Sequence, residues 1–326
     1  MIDHTGLICA YHFDGIGNAR AIGWGDFEAA EKQPGFLWIH LQQNGLRTRD
    51  WLISRSGLDP VVSEALLARQ SRPRCTEFLN GLLLDLRGVN LDPLRADEEM
   101  ASLHLWVDAR RIISVRLHKI LATRDIREQI AAGFTPRSVG GLLAELTHKL
   151  IDRVQPAVNA IDDELDELEH DMVSEGGRES RERLSTLRRR AVSLHRYISP
   201  QQTALSRLAN ERVVDIDERD RGRLRDTADD AGRFVADLDS IRERAVLIHE
   251  ELVARVSDRM QTNMYLLSMV SIVFLPLTLL TGLLGINVAG IPGAHDDSAF
   301  FWVCVLLAII GVLEVWFLRR KYWVRD

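Results

Sequence analysis

Apolar positions along this chain change their spacing twice. Up to about residue 135, short apolar or alternating runs read as strands: Gly6–His12, Phe36–Leu41, Gly81–Leu86 and Leu103–His118. Asp108-Ala109-Arg110-Arg111 reads as a hairpin turn inside the last of them. Helical spacing shows around Thr48–Ser56, Pro60–Ala68 and Ile120–Ala132, so this part predicts an α/β domain on a small sheet. From about Gly140 the period becomes helical and stays so. One helix is expected to run to about Val173 and to stop at Gly176-Gly177. Its second half is acidic and the helix after it is rich in arginine, which suggests an antiparallel hairpin with complementary faces. A third helix begins after Gly222 and meets no proline before Pro276. On it Phe234, Leu238, Ile241, Ala245, Ile248, Leu252 and Val256 alternate steps of four and three, the spacing of a supercoiled seam. Such a seam supports homo-oligomerisation through a parallel stalk, although core packing within one subunit uses the same spacing.

At Met264 charge disappears. An uncharged run reaches Gly285-Ile286-Asn287, and a second apolar run spans Ala299 to Leu318. Each is about twenty residues, and at ~1.5 Å per residue that covers a ~30 Å hydrocarbon core. The pattern predicts an α+β membrane protein. Its parts are a cytoplasmic α/β domain (1–140), a helical hairpin (141–222), a stalk helix (223–263) continuous with the first span (264–284), an outer loop (285–298), a second span (299–318) and a basic tail (319–326). Arg319, Arg320, Lys321 and Arg325 follow the second span, whereas the loop carries no Lys or Arg and holds Asp296 and Asp297. The positive-inside rule then puts the loop outside and both termini in the cytoplasm of a bacterium bounded by an inner membrane.

Composition adds exclusions. A net charge of −6 gives no hint of nucleic acid, and Met1-Ile2-Asp3-His4 lack the start of a signal peptide. Cys9, Cys75 and Cys304 lie too far apart for a metal finger and argue against a disulfide framework. His249-Glu250-Glu251 lacks the second histidine of a zinc-protease motif, and no Walker sequence is present. The chain is therefore expected to be no enzyme, with no prosthetic group and no bound nucleotide.

Two spans cannot enclose a polar path, so they either anchor a soluble domain or assemble with other copies around an axis. The first span favours assembly. Stepping back from Asn287 by helical turns gives Thr281, Thr278, Leu275, Ser271, Leu267, Met264 and Gln261, a stripe on which hydroxyl and amide side chains recur. Pro276 removes one backbone hydrogen bond near mid-membrane. The glycine-rich turn after it brings Asn287, whose amide oxygen suits a hydrated cation. Other candidate metal contacts are His295, Asp296 and Asp297 in the loop, and Glu250 and Glu251 near the inner mouth. Glu314, inside the second span, reads as an acid reaching for the interface.

A proline-bearing span ending in Gly-x-Asn, a short loop, a second span and a basic tail resemble the CorA family of divalent-cation transporters. That family's usual signature is Gly-Met-Asn after a tyrosine; here Leu284 and Ile286 stand at those places. Phe274-Leu275-Pro276, Thr281 through Asn287, and Gly290-Ile291-Pro292-Gly293 resemble the ZntB branch more closely, as do Leu37-Trp38-Ile39-His40-Leu41 and Arg196-Tyr197-Ile198-Ser199-Pro200-Gln201. The resemblance implies a homopentamer that carries Zn(2+), with proton coupling. It implies an outer filter of Gly285, Ile286 and Asn287, and a conduit lined by Thr278, Leu275, Ser271, Leu267 and Met264, with Gln261 at the inner mouth. A CorA-type magnesium, cobalt or nickel channel is the alternative, since the stripe offers oxygens and no thiolate or imidazole. A membrane-anchored scaffold or sensor without conduction is the alternative of another class.

Overall fold

The computed structural model describes residues 5–69, 71–89, 100–171, 178–285 and 298–322, in two units that meet between His249 and Glu250. The first unit is built on a seven-stranded sheet of order β2-β1-β3-β7-β6-β5-β4. The strands are β1 (Leu7–Phe13), β2 (Ala19–Ala21), β3 (Phe36–Gln42), β4 (Arg74–Phe78), β5 (Gly81–Val89), β6 (Met100–Val107) and β7 (Arg111–Arg116). β3 and β7 run parallel, and the other neighbouring pairs are antiparallel. β3 is buried along nearly its whole length, as expected of a parallel strand covered on both faces. The turn at Asp108 is confirmed in detail: its carboxylate accepts the backbone N–H groups of Arg110 and Arg111, both at 3.0 Å.

Three short helices cover one face: α1 (Phe27–Glu31), α2 (Thr48–Ser54) and α3 (Pro60–Leu66). Phe27, Trp51, Leu52, Val62 and Leu66 pack there on Leu37, Ile39, Leu41, Ile113 and Val115. The opposite face lies under α4 (Leu121–Ala131) and α5 (Val139–Asp152). A side chain at Gly88 of β5 would stand 2.5 Å from Ile120 and 2.7 Å from Leu150, so the close approach there needs glycine.

The expected single helix from Gly140 to Val173 is two. α5 stops at Asp152 and α6 restarts at Gln155–Asp171. Pro156 is the reason, because a residue with no N–H is tolerated in a first turn and not in a helix interior. α7 (Arg178–Asn210) and α8 (Glu218–Leu284) follow. The charged faces do meet: Arg190 pairs with Glu164 at 3.0 Å, and Arg183 lies 3.4 Å from both Glu167 and Asp171. Arg244 of α8 binds Asp162, Asp166 and Glu169 of α6 as well. Inside these helices Ile161, Leu165 and Leu168, then Leu187, Ala191 and Leu194, are buried with Leu238, Ile241, Ala245 and Ile248. The four-and-three seam of α8 is thus buried within the subunit from Phe234 to Ile248, while Val256 at its end is half-buried.

α7 also completes the sheet. β4 last pairs β5 at Arg74–Asp85, so among the described residues no strand pairs with the backbone of Arg87 on that side. Gln201 supplies one: its Oε1 accepts the Arg87 N–H at 2.6 Å and its Nε2 donates to the Arg87 carbonyl at 3.1 Å. Tyr197, one turn earlier, lies 4.5 Å under the Arg87 guanidinium. Gln201→Ala leaves two buried backbone groups unpaired, and we expect a loss of about 2 kcal/mol. A lower melting temperature of the detergent-solubilised protein measures it; an unchanged one contradicts this role for Gln201.

The second unit holds the end of α8 and α9 (Ala299–Tyr322). Both helices are long and apolar enough to cross a membrane. α8 continues unbroken through Pro276 to Leu284.

Candidate ion-conduction site

α9 covers one side of α8. Gly311 comes close to Leu277, a side chain there lying 3.9 Å from the leucine Cδ1, as small residues allow between membrane helices. At 100° per residue, the stripe from Gln261 to Gly285 lies roughly 80–200° around the helix from Leu277, with Thr281 nearer at about 40°. It is uncovered: Met264 is 65% exposed, Leu267 69% and Leu275 68%, while Gln261, Thr278 and Gly285 are exposed and Ser271 half-buried. Beside Leu275 and Thr278 runs an open groove along Leu279, Gly282 and Leu283.

The hydroxyls on this face are internally satisfied. Ser271 donates to the Leu267 carbonyl at 2.9 Å and Thr278 to that of Phe274 at 2.7 Å. Thr281 donates to Leu277 at 3.0 Å and Thr278 at 3.1 Å. Each O–H is turned back onto its own helix, so its oxygen lone pairs remain free to accept from water or to face a cation. The face therefore presents weak neutral oxygens between apolar rungs, with no fixed charge. Gly285 ends α8, its N–H bonded to the Thr281 carbonyl at 2.9 Å.

Of the other sequence candidates, Ile286, Asn287, His295, Asp296 and Asp297 lie outside the described residues. Glu250 is exposed; Glu251 accepts Arg255 Nε at 2.7 Å, one turn on. Among the described residues no group of three or more His, Cys, Asp or Glu side chains gathers as for a metal ion. Glu314 is half-buried, with its Oε2 buried and without a hydrogen-bond partner, rather than reaching outward as expected. The stripe also extends further than its sequence reading. Val246, Val253 and Met260 are 37%, 52% and 60% exposed and precede Leu267 at steps of seven. That spacing was legible, but it is masked by the stronger buried seam beside it.

Comparison with known proteins places this geometry. The model of the CorA-like Mg2+ transporter protein family matches residues 33–320. The divalent cation transporter CmaX of Pseudomonas aeruginosa is 36% identical over 326 residues, covering 99% of this chain and 98% of the relative. The zinc transport protein ZntB of Pectobacterium carotovorum is 31% identical over 323 residues, covering 99% and 98%. Among solved structures, full-length CmaX superposes with a TM-score of 0.84 at 35% identity, over 98% of both chains. The CorA magnesium transporter of Methanocaldococcus jannaschii shares the fold, with a TM-score of 0.83 at 20% identity, over 97% of this chain and 99% of that one. With its two apolar C-terminal helices behind an α+β domain, this chain is a multi-pass inner-membrane protein that belongs to the CorA family of divalent-cation transporters.

Proposed function

We propose that the protein passes a hydrated divalent cation through an axial pore of a homopentamer, lined by the α8 stripe of each subunit. The observation that carries this reading is the stripe itself, which α9 leaves uncovered. Facing lipid, its hydroxyls and Gln261 would have no use; facing an axis, they make rings of neutral oxygens spaced by Leu275, Leu267 and Met264. Neutral oxygens hold a hydrated cation weakly enough to release it, and apolar rings block flow when dry. The exposed Val246, Val253 and Met260 extend the same face and offer neighbouring copies an apolar contact. Asn287, three residues after Leu284 in the sequence, would close the row with an amide oxygen at the outer mouth.

Oxygen donors without thiolate or imidazole suit hard cations, so magnesium, cobalt and nickel stand beside zinc as cargo. Zinc with proton coupling is the second reading. Ile286 in the Gly-x-Asn signature favours it, as does the zinc transport that the ZntB relatives are named for.

Uptake into liposomes tests these readings, with magnesium or zinc outside and with or without an inward proton gradient. Magnesium flux indifferent to protons is expected. Zinc flux that grows with the gradient would select the second reading, and no flux of either ion would return the spans to an anchor. In the same assay Asn287→Ala should cut flux tenfold or more, roughly 1.4 kcal/mol or above in the barrier. Flux undiminished by that change would remove Asn287 from the path.

A further inference from the structure

A cavity of about 380 Å³ opens on the α1–α3 side of the sheet, at the end where β3 begins. The end of α1, the start of β3, the turn between α2 and α3 and the β6–β7 turn enclose it, and ion conduction uses none of them. Ala30, Phe36 and Leu37, all buried, line it from the core side. Three arginines, Arg55, Arg110 and Arg111, line it as well, against two acids, Glu31 and Asp108.

Both acids are already engaged. Asp108 accepts Trp106 Nε1 at 2.9 Å and Arg111 Nε at 2.8 Å, besides the two backbone N–H groups of its turn. Glu31 accepts Arg111 Nη1 at 2.7 Å, and the same Nη1 donates to the Ser56 carbonyl at 2.9 Å. Arg111 is thereby fixed in the wall and takes up both carboxylates. The other two guanidinium groups are left without a counter-charge. Arg110 donates Nη2 to the Gln33 carbonyl at 2.6 Å and meets no carboxylate among the described residues. Arg55 is exposed, and its side chain has no partner among them. A side chain added at Gly57 would meet nothing within 4 Å, so the space beside Arg55 is open.

We propose that this cavity binds a small organic phosphate, its phosphate on Arg55 and Arg110 and its carbon skeleton against Ala30, Phe36 and Leu37. A guanidinium offers forked donors that match phosphate oxygens, and both forks are available here. Size argues for an ester over a bare ion. Pockets of roughly 300–1,000 Å³ suit organic ligands, whereas a water occupies only ~30 Å³. A carbon-lined wall facing a few charged donors is the usual make-up of such a site.

The test melts full-length protein in detergent at constant ionic strength while adenosine monophosphate or ribose phosphate is titrated, with inorganic phosphate as the control. A saturable rise in melting temperature with at least one ester is expected, as for any ligand bound only by the folded state, and inorganic phosphate should fall short of it. Arg55 has no partner to lose, so Arg55→Gln should melt like the unsubstituted protein when no ligand is present. It should then need about tenfold more ester for the same rise, and Arg110→Gln should weaken binding likewise. A melting temperature indifferent to both esters overturns the proposal. So does an equal rise with inorganic phosphate, which would be the effect of a simple anion. A rise undiminished in both variants would put the ligand elsewhere and overturns it too.

Discussion

Asp85→Asn lowers the stability of the cytoplasmic domain by about 3 kcal/mol at neutral pH. Asp85 is 1% exposed on β5 and lies opposite His104, 2% exposed, on β6. His104 Nδ1 donates to one carboxylate oxygen at 2.5 Å, and Arg74 Nε donates to the other at 2.7 Å. Burial by itself would raise the Asp85 pKa; the His104 hydrogen bond and charge, with those of Arg74, outweigh it and hold the group below its ordinary value. Arg74 is half in water and loses little when the carboxylate is removed. His104 is not, and would keep a buried N–H facing an amide. The pH dependence follows from the direction of the shift. A carboxylate depressed in the folded state contributes its full stability above the unfolded value of about 3.9, and loses it as pH falls through the lower folded value. Melting curves of the two proteins should therefore lie apart at pH 7 and converge as pH falls below about 4. Parallel curves down the acid limb would mean that other carboxylates set the acid sensitivity.

Leu238→Ala is expected to cost the subunit about 2–5 kcal/mol, because Leu238 is fully buried among α6, α7 and α8 and alanine leaves a cavity. The readout separates two roles for the seam. If it packs within the subunit, the melting temperature falls at every protein concentration and the particle keeps its size in chromatography. Smaller particles with an undiminished subunit melt would move the seam to a boundary between copies.

Much of the first unit was legible. β3, β5 and the β6–β7 hairpin show as apolar runs because their side chains are buried whatever their neighbours. β2 and β4 escaped, being short edge strands with mostly half-exposed or exposed residues that repeat no strong pattern. Gln201 could be marked only as part of a family-like segment. Its task depends on the backbone of Arg87, 114 residues back in the chain, beyond the last β4–β5 pair. His40 and Arg116 look like ordinary strand residues until the register sets them on one buried face of the sheet. At the candidate pore, residue types and spacing named the stripe, and its exposure is shared by off-stripe residues of the same span such as Phe274 and Leu279.

The sequence by itself determined that α8 and α9 cross a membrane and which way they point. Length multiplied by helical rise, the lack of charge and the basic tail are properties of each segment alone. Only the tertiary structure decided what each apolar face of α8 is for. A four-and-three stripe states that a face will be buried and does not say against what. Packing on α6 and α7 took the seam from Phe234 to Ile248 into the subunit, and left Val246, Val253, Met260 and the stripe up to Thr278 exposed or half-buried.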